Sequence, residues 1–82
     1  MANQKIFQVT VTKVDGPLLN GEALSVTVPG VEGEMTILPE HTALISPLKQ
    51  GVITVHTSNG EEFFDIERGT LEVSGNQATV LL

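Results

Sequence analysis

The chain has 82 residues, 40% of them hydrophobic, which suits one domain with one modest core burying roughly 60% of the surface that the unfolded chain exposes. It contains no cysteine, so neither disulfides nor thiolate-bound zinc can reinforce that core. Ten acidic residues against four basic ones give a formal charge of −6, and Lys5, Lys13, Lys49 and Arg68 are too scattered to neutralise a row of phosphates, so no nucleic-acid partner is expected.

At the N-terminus, Met1 to Gln8 has neither the apolar stretch of a signal peptide nor the Arg/Ser-rich character of a transit peptide, and the chain is expected to stay where it is made. From Ile6 to Val14, the residues Phe7, Val9 and Val11 alternate with Gln8, Thr10 and Thr12, the period of a strand covered on one face. Asp15-Gly16-Pro17 and Asn20-Gly21 read as turns before a second strand at Leu24–Val28, which Pro29-Gly30 closes. Alternation resumes at Ile53–Val55 and Phe64–Ile66, on either side of Asn59-Gly60, a dipeptide suited to the positive φ angles of a type I′ hairpin turn. Leu71–Val73 and Ala78–Val80 flank Gly75-Asn76 and form a second hairpin. Gly33, Gly51 and Gly69 border strands, where a bulge or close backbone contact is expected. No window sustains a helical stripe, and threonine and valine, which lose less freedom in strands than in helices, supply much of the pattern. Seven or more short strands predict an all-β single domain over 1–82, a flattened two-sheet antiparallel sandwich or barrel, because one such sheet cannot cover its own apolar face.

The segment Gly33–Gly51 joins strong apolarity to Pro39 and Pro47, which prevent it from being one regular helix or a central strand. Leu38, Leu44, Ile45 and Leu48 need cover, either inside the core or against a partner. The phosphate-cradling patterns GxxxxGK[ST] and GxGxxG do not occur, which excludes nucleotide binding by such a loop. Ser46, His41 and Glu40 lie close in sequence, whereas the members of a nucleophile–base–acid set normally come from separate elements, so no catalytic residue is assigned. Glu34, Glu40, His41 and His56 match no recognised ligand spacing, and neither metal nor cofactor is expected. Glu61, Glu62, Asp65 and Glu67 read as a solvated face.

Gly33-Glu34, Thr36-Ile37, Pro39-Glu40-His41, Leu44-Ile45 and Leu48-Lys49-Gln50-Gly51 occur in one order and spacing, followed by Gly69-Thr70-Leu71-Glu72-Val73 and Ala78-Thr79-Val80-Leu81. Over nearly its whole length the chain thereby resembles the N-terminal β-sandwich domain of F-type ATP synthase ε subunits. The resemblance implies a non-catalytic rotor component at the foot of the central stalk. There it would grip the γ subunit on one side, touch the polar loops of the c-ring on another, and couple proton- or sodium-driven rotation to ATP synthesis or hydrolysis. It implies a peripheral position on the F1 side of the membrane, in a bacterium the cytoplasmic face. No direct membrane insertion is expected, since no apolar run reaches the roughly 20 residues that span a bilayer. Carried over residue by residue, Glu34 and His41 become c-ring contacts, with Glu40 and Glu32 as their neighbours; the γ contacts remain unassigned. Ile37, Leu44, Ile45 and Leu48 are expected to be packing residues that hold a stiff turn, with Glu34, Glu40 and His41 at its polar edge.

Two departures stand out. Many members of the family carry glycine where Glu40 stands. They also continue into a two-helix hairpin that in many restrains ATP hydrolysis and in some binds ATP, whereas this sequence stops at Leu82; the expectation is that the 82 residues neither bind ATP nor inhibit through such a hairpin. The alternatives are an unrelated β-sandwich module for protein interaction or ligand binding, and a small hydrolase. Three aromatics, all phenylalanine, argue against sugar stacking, and the hydrolase lacks a nucleophile–base set.

Overall fold

Period-two alternation becomes nine β-strands in a computed structural model that describes residues 5–82. In chain order they are β1 (Phe7–Lys13), β2 (Gly16–Ala23), β3 (Ser25–Gly30), β4 (Gly33–Ile37), β5 (Leu44–Leu48), β6 (Gly51–Thr57), β7 (Gly60–Ile66), β8 (Gly69–Ser74) and β9 (Gln77–Leu81). Pairing runs β2-β1-β9-β8-β5-β3-β6-β7, with β4 on the other edge of β3. Between β5 and β3 this path narrows to the single pair Gly30 and Leu48, and there the sheet folds over so that the apolar faces of its two halves meet. The all-β sandwich expected from sequence is thus formed, with one pair in it that is not antiparallel. β1 and β9, from opposite ends of the described chain, run parallel from Gln8 opposite Gln77 to Thr12 opposite Leu81.

The core is what the alternation requires. Phe7, Val9 and Val11 of β1, Val26 and Val28 of β3, Ile53 and Val55 of β6, Leu71 and Val73 of β8 and Ala78 and Val80 of β9 are all buried. No buried polar or charged side chain occurs among the described residues. Full burial stabilises each of the valine, leucine, isoleucine and phenylalanine side chains by about 1.5–3 kcal/mol. Ile37 and Leu48 join this core as expected and Leu44 packs on its margin, but Ile45, expected to be a packing residue, is 71% exposed, and Leu38 at 56% exposed likewise finds no cover inside the core. The reason is parity. Ile45 lies three positions from the buried Leu48 on one strand, and residues an odd number apart face opposite sides. Leu38 follows the last residue of β4 and leaves the sheet.

Several turns sit elsewhere than the dipeptides suggest. Asn20-Gly21 lies inside β2, where the Asn20 Oδ1 accepts from the side chains of Gln8 and Thr10 on β1 and so holds the strand extended. Pro29-Gly30 ends β3, and the turn follows at Val31-Glu32. The β6–β7 hairpin forms, but its central residues are Ser58 and Asn59, neither with positive φ, so it is not the type I′ turn that Asn59-Gly60 suggests. Thr57 sets this geometry locally: its hydroxyl accepts the Asn59 N–H at 3.1 Å and donates to the Gly60 carbonyl at 2.9 Å. Gly75-Asn76 does form the centre of the β8–β9 hairpin.

Three prolines lie in strands, Pro17 in β2 beside the register shift in its pairing with β1, Pro29 in β3 and Pro47 in β5. The Pro47 carbonyl accepts the Val31 N–H at 3.3 Å, so the side of β5 on which proline lacks a donor faces away from β8 and costs no bond of that ladder. Pro29 marks the corner at which the chain passes from β5 to β6. A Cβ at Gly51 would stand 2.7 Å from the Pro29 Cβ, a distance that only glycine allows without movement.

Candidate functional site

Exposed apolar and acidic groups meet at the open side of the sandwich, where the β3–β4 hairpin and β5 diverge after their single bridging pair. Between them runs a shallow groove of about 470 Å³. Val31 and Met35 from the hairpin and Leu44, Ile45 and Pro47 from β5 line it, and Glu32 and Glu34 are its only charged residues. Met35 and Leu44 rest on the core, while Val31 and Ile45 stand largely in solvent. The groove therefore offers apolar surface with an acidic wall, suited to a protein partner that carries an apolar side chain beside a lysine or arginine.

The three acids and the histidine expected at one edge separate into two pairs. Glu32 lies in the β3–β4 turn and Glu34 just after it in β4, while Glu40 and His41 lie in the connection from β4 to β5. From Glu34 to Ile37 at the end of β4 is roughly 10 Å at about 3.3 Å per residue, and Leu38 and Pro39 follow before Glu40. Glu32, Glu34 and Glu40 are exposed, and His41 is half-buried.

The Glu40–His41 connection is tightly tied. Glu40 has φ 65, the left-handed region, and is the only non-glycine residue there among those described. Its N–H donates to Asn76 Oδ1 at 2.9 Å, its carboxylate meets the Lys5 ammonium at 3.3 Å, and the His41 N–H donates to the Leu38 carbonyl at 3.2 Å. His41 Nδ1 lies 2.6 Å from the Thr42 carbonyl, which can only accept, so the proton sits on Nδ1 and Nε2 is left as the acceptor of the neutral ring. Ser46 donates to the Pro47 carbonyl at 3.3 Å and makes no contact with His41, so these residues form no nucleophile–base pair. Among the described residues no three of His, Asp and Glu gather as a metal site, and no helix is long and apolar enough to cross a membrane. His56 is held by Glu61 at 2.7 Å across β6 and β7, while Glu61, Glu62, Asp65 and Glu67 are all exposed, as a solvated face requires.

Sequence reading missed Val31, placed Ile45 among the packing residues, and took Asn76 only as a turn residue. An apolar residue in a turn is a weak local signal for the first. The other two depend on pairing between distant segments, which no local pattern records.

Comparison with known proteins gives a consistent result. The family profile of the ATP synthase delta/epsilon chain β-sandwich domain matches residues 6–82. The ATP synthase epsilon chain of a Nitratiruptor species is 41% identical over 77 residues, covering 93% of this chain and 60% of that protein. The epsilon chain of Bordetella petrii is 43% identical over 76 residues, covering 92% of this chain and 54% of that one. The chain thus spans little more than half the length of these curated relatives. The same fold occurs in a chain of the Euglena gracilis mitochondrial ATP synthase, solved with its OSCP, F1 and c-ring, at a TM-score of 0.85, 23% identity and coverage of 99% of this chain and 52% of that one. It occurs again in the central stalk and c-ring structure of the Tetrahymena thermophila mitochondrial enzyme, at a TM-score of 0.80 and 17% identity, covering 98% of this chain and 65% of that chain.

Proposed function

Because the chain belongs to the β-sandwich family of ATP synthase delta/epsilon chains, we propose that it works as a central-stalk subunit joining γ to the c-ring, without an active site of its own. In this role it couples ion-driven rotation of the c-ring to ATP synthesis or hydrolysis elsewhere in the complex. Its place is peripheral to the membrane on the F1 side, in a bacterium the cytoplasmic face. The observation that carries this reading is the family match over residues 6–82 at 41% identity to a curated epsilon chain. With the family established, the alternative of an unrelated sandwich module falls away.

The two proposed contact surfaces adjoin at the wall of the groove, where Glu32 and Glu34 stand beside Val31 and Met35. Glu32, Glu34, Glu40 and His41 present acidic and hydrogen-bonding groups at both ends of β4, and these meet the polar loops of the c-ring. Surface charge of this kind orients a complex and speeds its formation more than it tightens it. The apolar groove of Val31, Met35, Leu44 and Ile45 takes the γ subunit, where burial supplies affinity. No phosphate-cradling loop is present in the sequence, and the 82 residues are expected to leave ATP unbound.

Cysteine crosslinking in the assembled enzyme tests this arrangement. Glu34→Cys and His41→Cys should crosslink to c-ring loops, and Ile45→Cys to γ. Crosslinks from positions 34 and 41 to γ alone, with none to the c-ring, would reject the assignment of faces.

A further inference from the structure

Asn76 sits in the β8–β9 turn, 36 residues from Glu40 and 70 from Ile6 along the chain, yet its side-chain amide bonds to both. Its Oδ1 accepts the Glu40 N–H at 2.9 Å, and its Nδ2 donates to the Ile6 carbonyl at 2.8 Å. The Asn76 main-chain carbonyl also accepts the Gln8 N–H at 3.1 Å. One residue therefore ties the β4–β5 connection to the beginning of β1. The amide it grips belongs to Glu40, whose φ of 65 is a conformation that a residue with a Cβ disfavours. The other side-chain restraint on Glu40 is the pair with Lys5, in which the two side chains are 70% and 63% exposed, so it is screened and weakly directional. Only a short side chain with both a donor and an acceptor can reach the two main-chain groups from this turn, and asparagine supplies both.

We propose that Asn76 is a positioning residue. It holds the Pro39–His41 turn in its left-handed form against the start of β1, and in doing so it sets how Glu40 and His41 are presented to the c-ring. The second half of this proposal rests on the function proposed above; the first half stands without it.

A double-substitution cycle tests the holding role. Asn76→Ala should raise the unfolding equilibrium constant of the 82-residue chain roughly tenfold, the scale of one to two lost hydrogen bonds. A Glu40→Gly background keeps both main-chain partners of Asn76 but has no strain to release when they are lost, so there the same substitution should raise it by a larger factor, roughly thirtyfold. Equal effects in the two backgrounds would overturn the holding role. For presentation, crosslinking is measured in the complex assembled with γ and the c-ring. Asn76→Ala should cut the yield from His41→Cys several-fold, leave that from Glu34→Cys unchanged, and lose its effect when Glu40→Gly is added. An undiminished yield from His41→Cys overturns the presentation role. If His41→Cys fails to reach the c-ring even with Asn76 intact, the c-ring assignment is what fails, and the unfolding cycle alone decides the role of Asn76.

Discussion

At φ 65 the Cβ of Glu40 crowds its own following carbonyl, a placement that costs a residue other than glycine about 1–2 kcal/mol. The chain tolerates it because Asn76 and the Leu38 carbonyl hold the two amides of the turn. Glu40→Gly removes the crowding and enlarges the unfolded ensemble, so only part of the cost is recovered. A net gain of about 0.5–1 kcal/mol is expected, with Tm raised by roughly 2–8 °C for a domain of this size. The lost contact with Lys5 subtracts little, since both groups are exposed. Thermal denaturation followed by circular dichroism measures this, and a lower Tm would mean that the Glu40 side chain contributes more than its backbone costs. The family resemblance already marks this position, because many members have glycine there. What the resemblance leaves out is the restraint by Asn76, whose partners lie too far away in sequence for any local pattern to show.

Among the elements, two glycines inside or beside strands carry opposite predictions. Gly51 begins β6 at the corner where an added Cβ would come within 2.7 Å of Pro29, and Gly51→Ala should cost about 1–3 kcal/mol as the corner is forced apart. Gly21 lies within β2 with no atom within 4 Å of its would-be Cβ and no positive φ, and Gly21→Ala should add about 0.4–1 kcal/mol by narrowing the unfolded ensemble. Urea denaturation midpoints of the two variants should move to opposite sides of the parent, and a shift in one direction for both would contradict the pairing of β2 or the packing of the corner. The contrast also shows where sequence is informative. β1, β6, β8 and β9 could be read directly, since each buries one face and so alternates cleanly. β2, β4 and β5 were obscured by Asn20-Gly21, by Gly33 and by Pro47, residues that usually end strands and here lie within or begin them. The candidate site shared this limit: its acids were named through family resemblance, but their separation to the two ends of β4 required knowing that β4 is a strand.

For the molecule as a whole, a single small core leaves little stability in reserve, so the location of an isoleucine decides what its loss does. Ile53 is fully buried between the two halves of the sheet, and Ile53→Ala should cost about 2–5 kcal/mol from lost transfer energy and the cavity left behind. Against a total of about 5–15 kcal/mol for an ordinary domain, that brings the chain near to unfolding. Ile45 is 71% exposed, and Ile45→Ser should change stability by no more than about 0.5 kcal/mol. If the groove takes γ as proposed, its effect belongs instead to association. An isoleucine newly buried against γ contributes about 1.5–3 kcal/mol, so the same substitution should weaken binding to isolated γ by roughly 10- to 100-fold. Thermal denaturation paired with titration calorimetry on each variant separates the outcomes. An Ile45→Ser protein that unfolds early would show the groove to be part of the core. One that stays folded and binds γ at full strength would move the γ contact to another face of the sandwich.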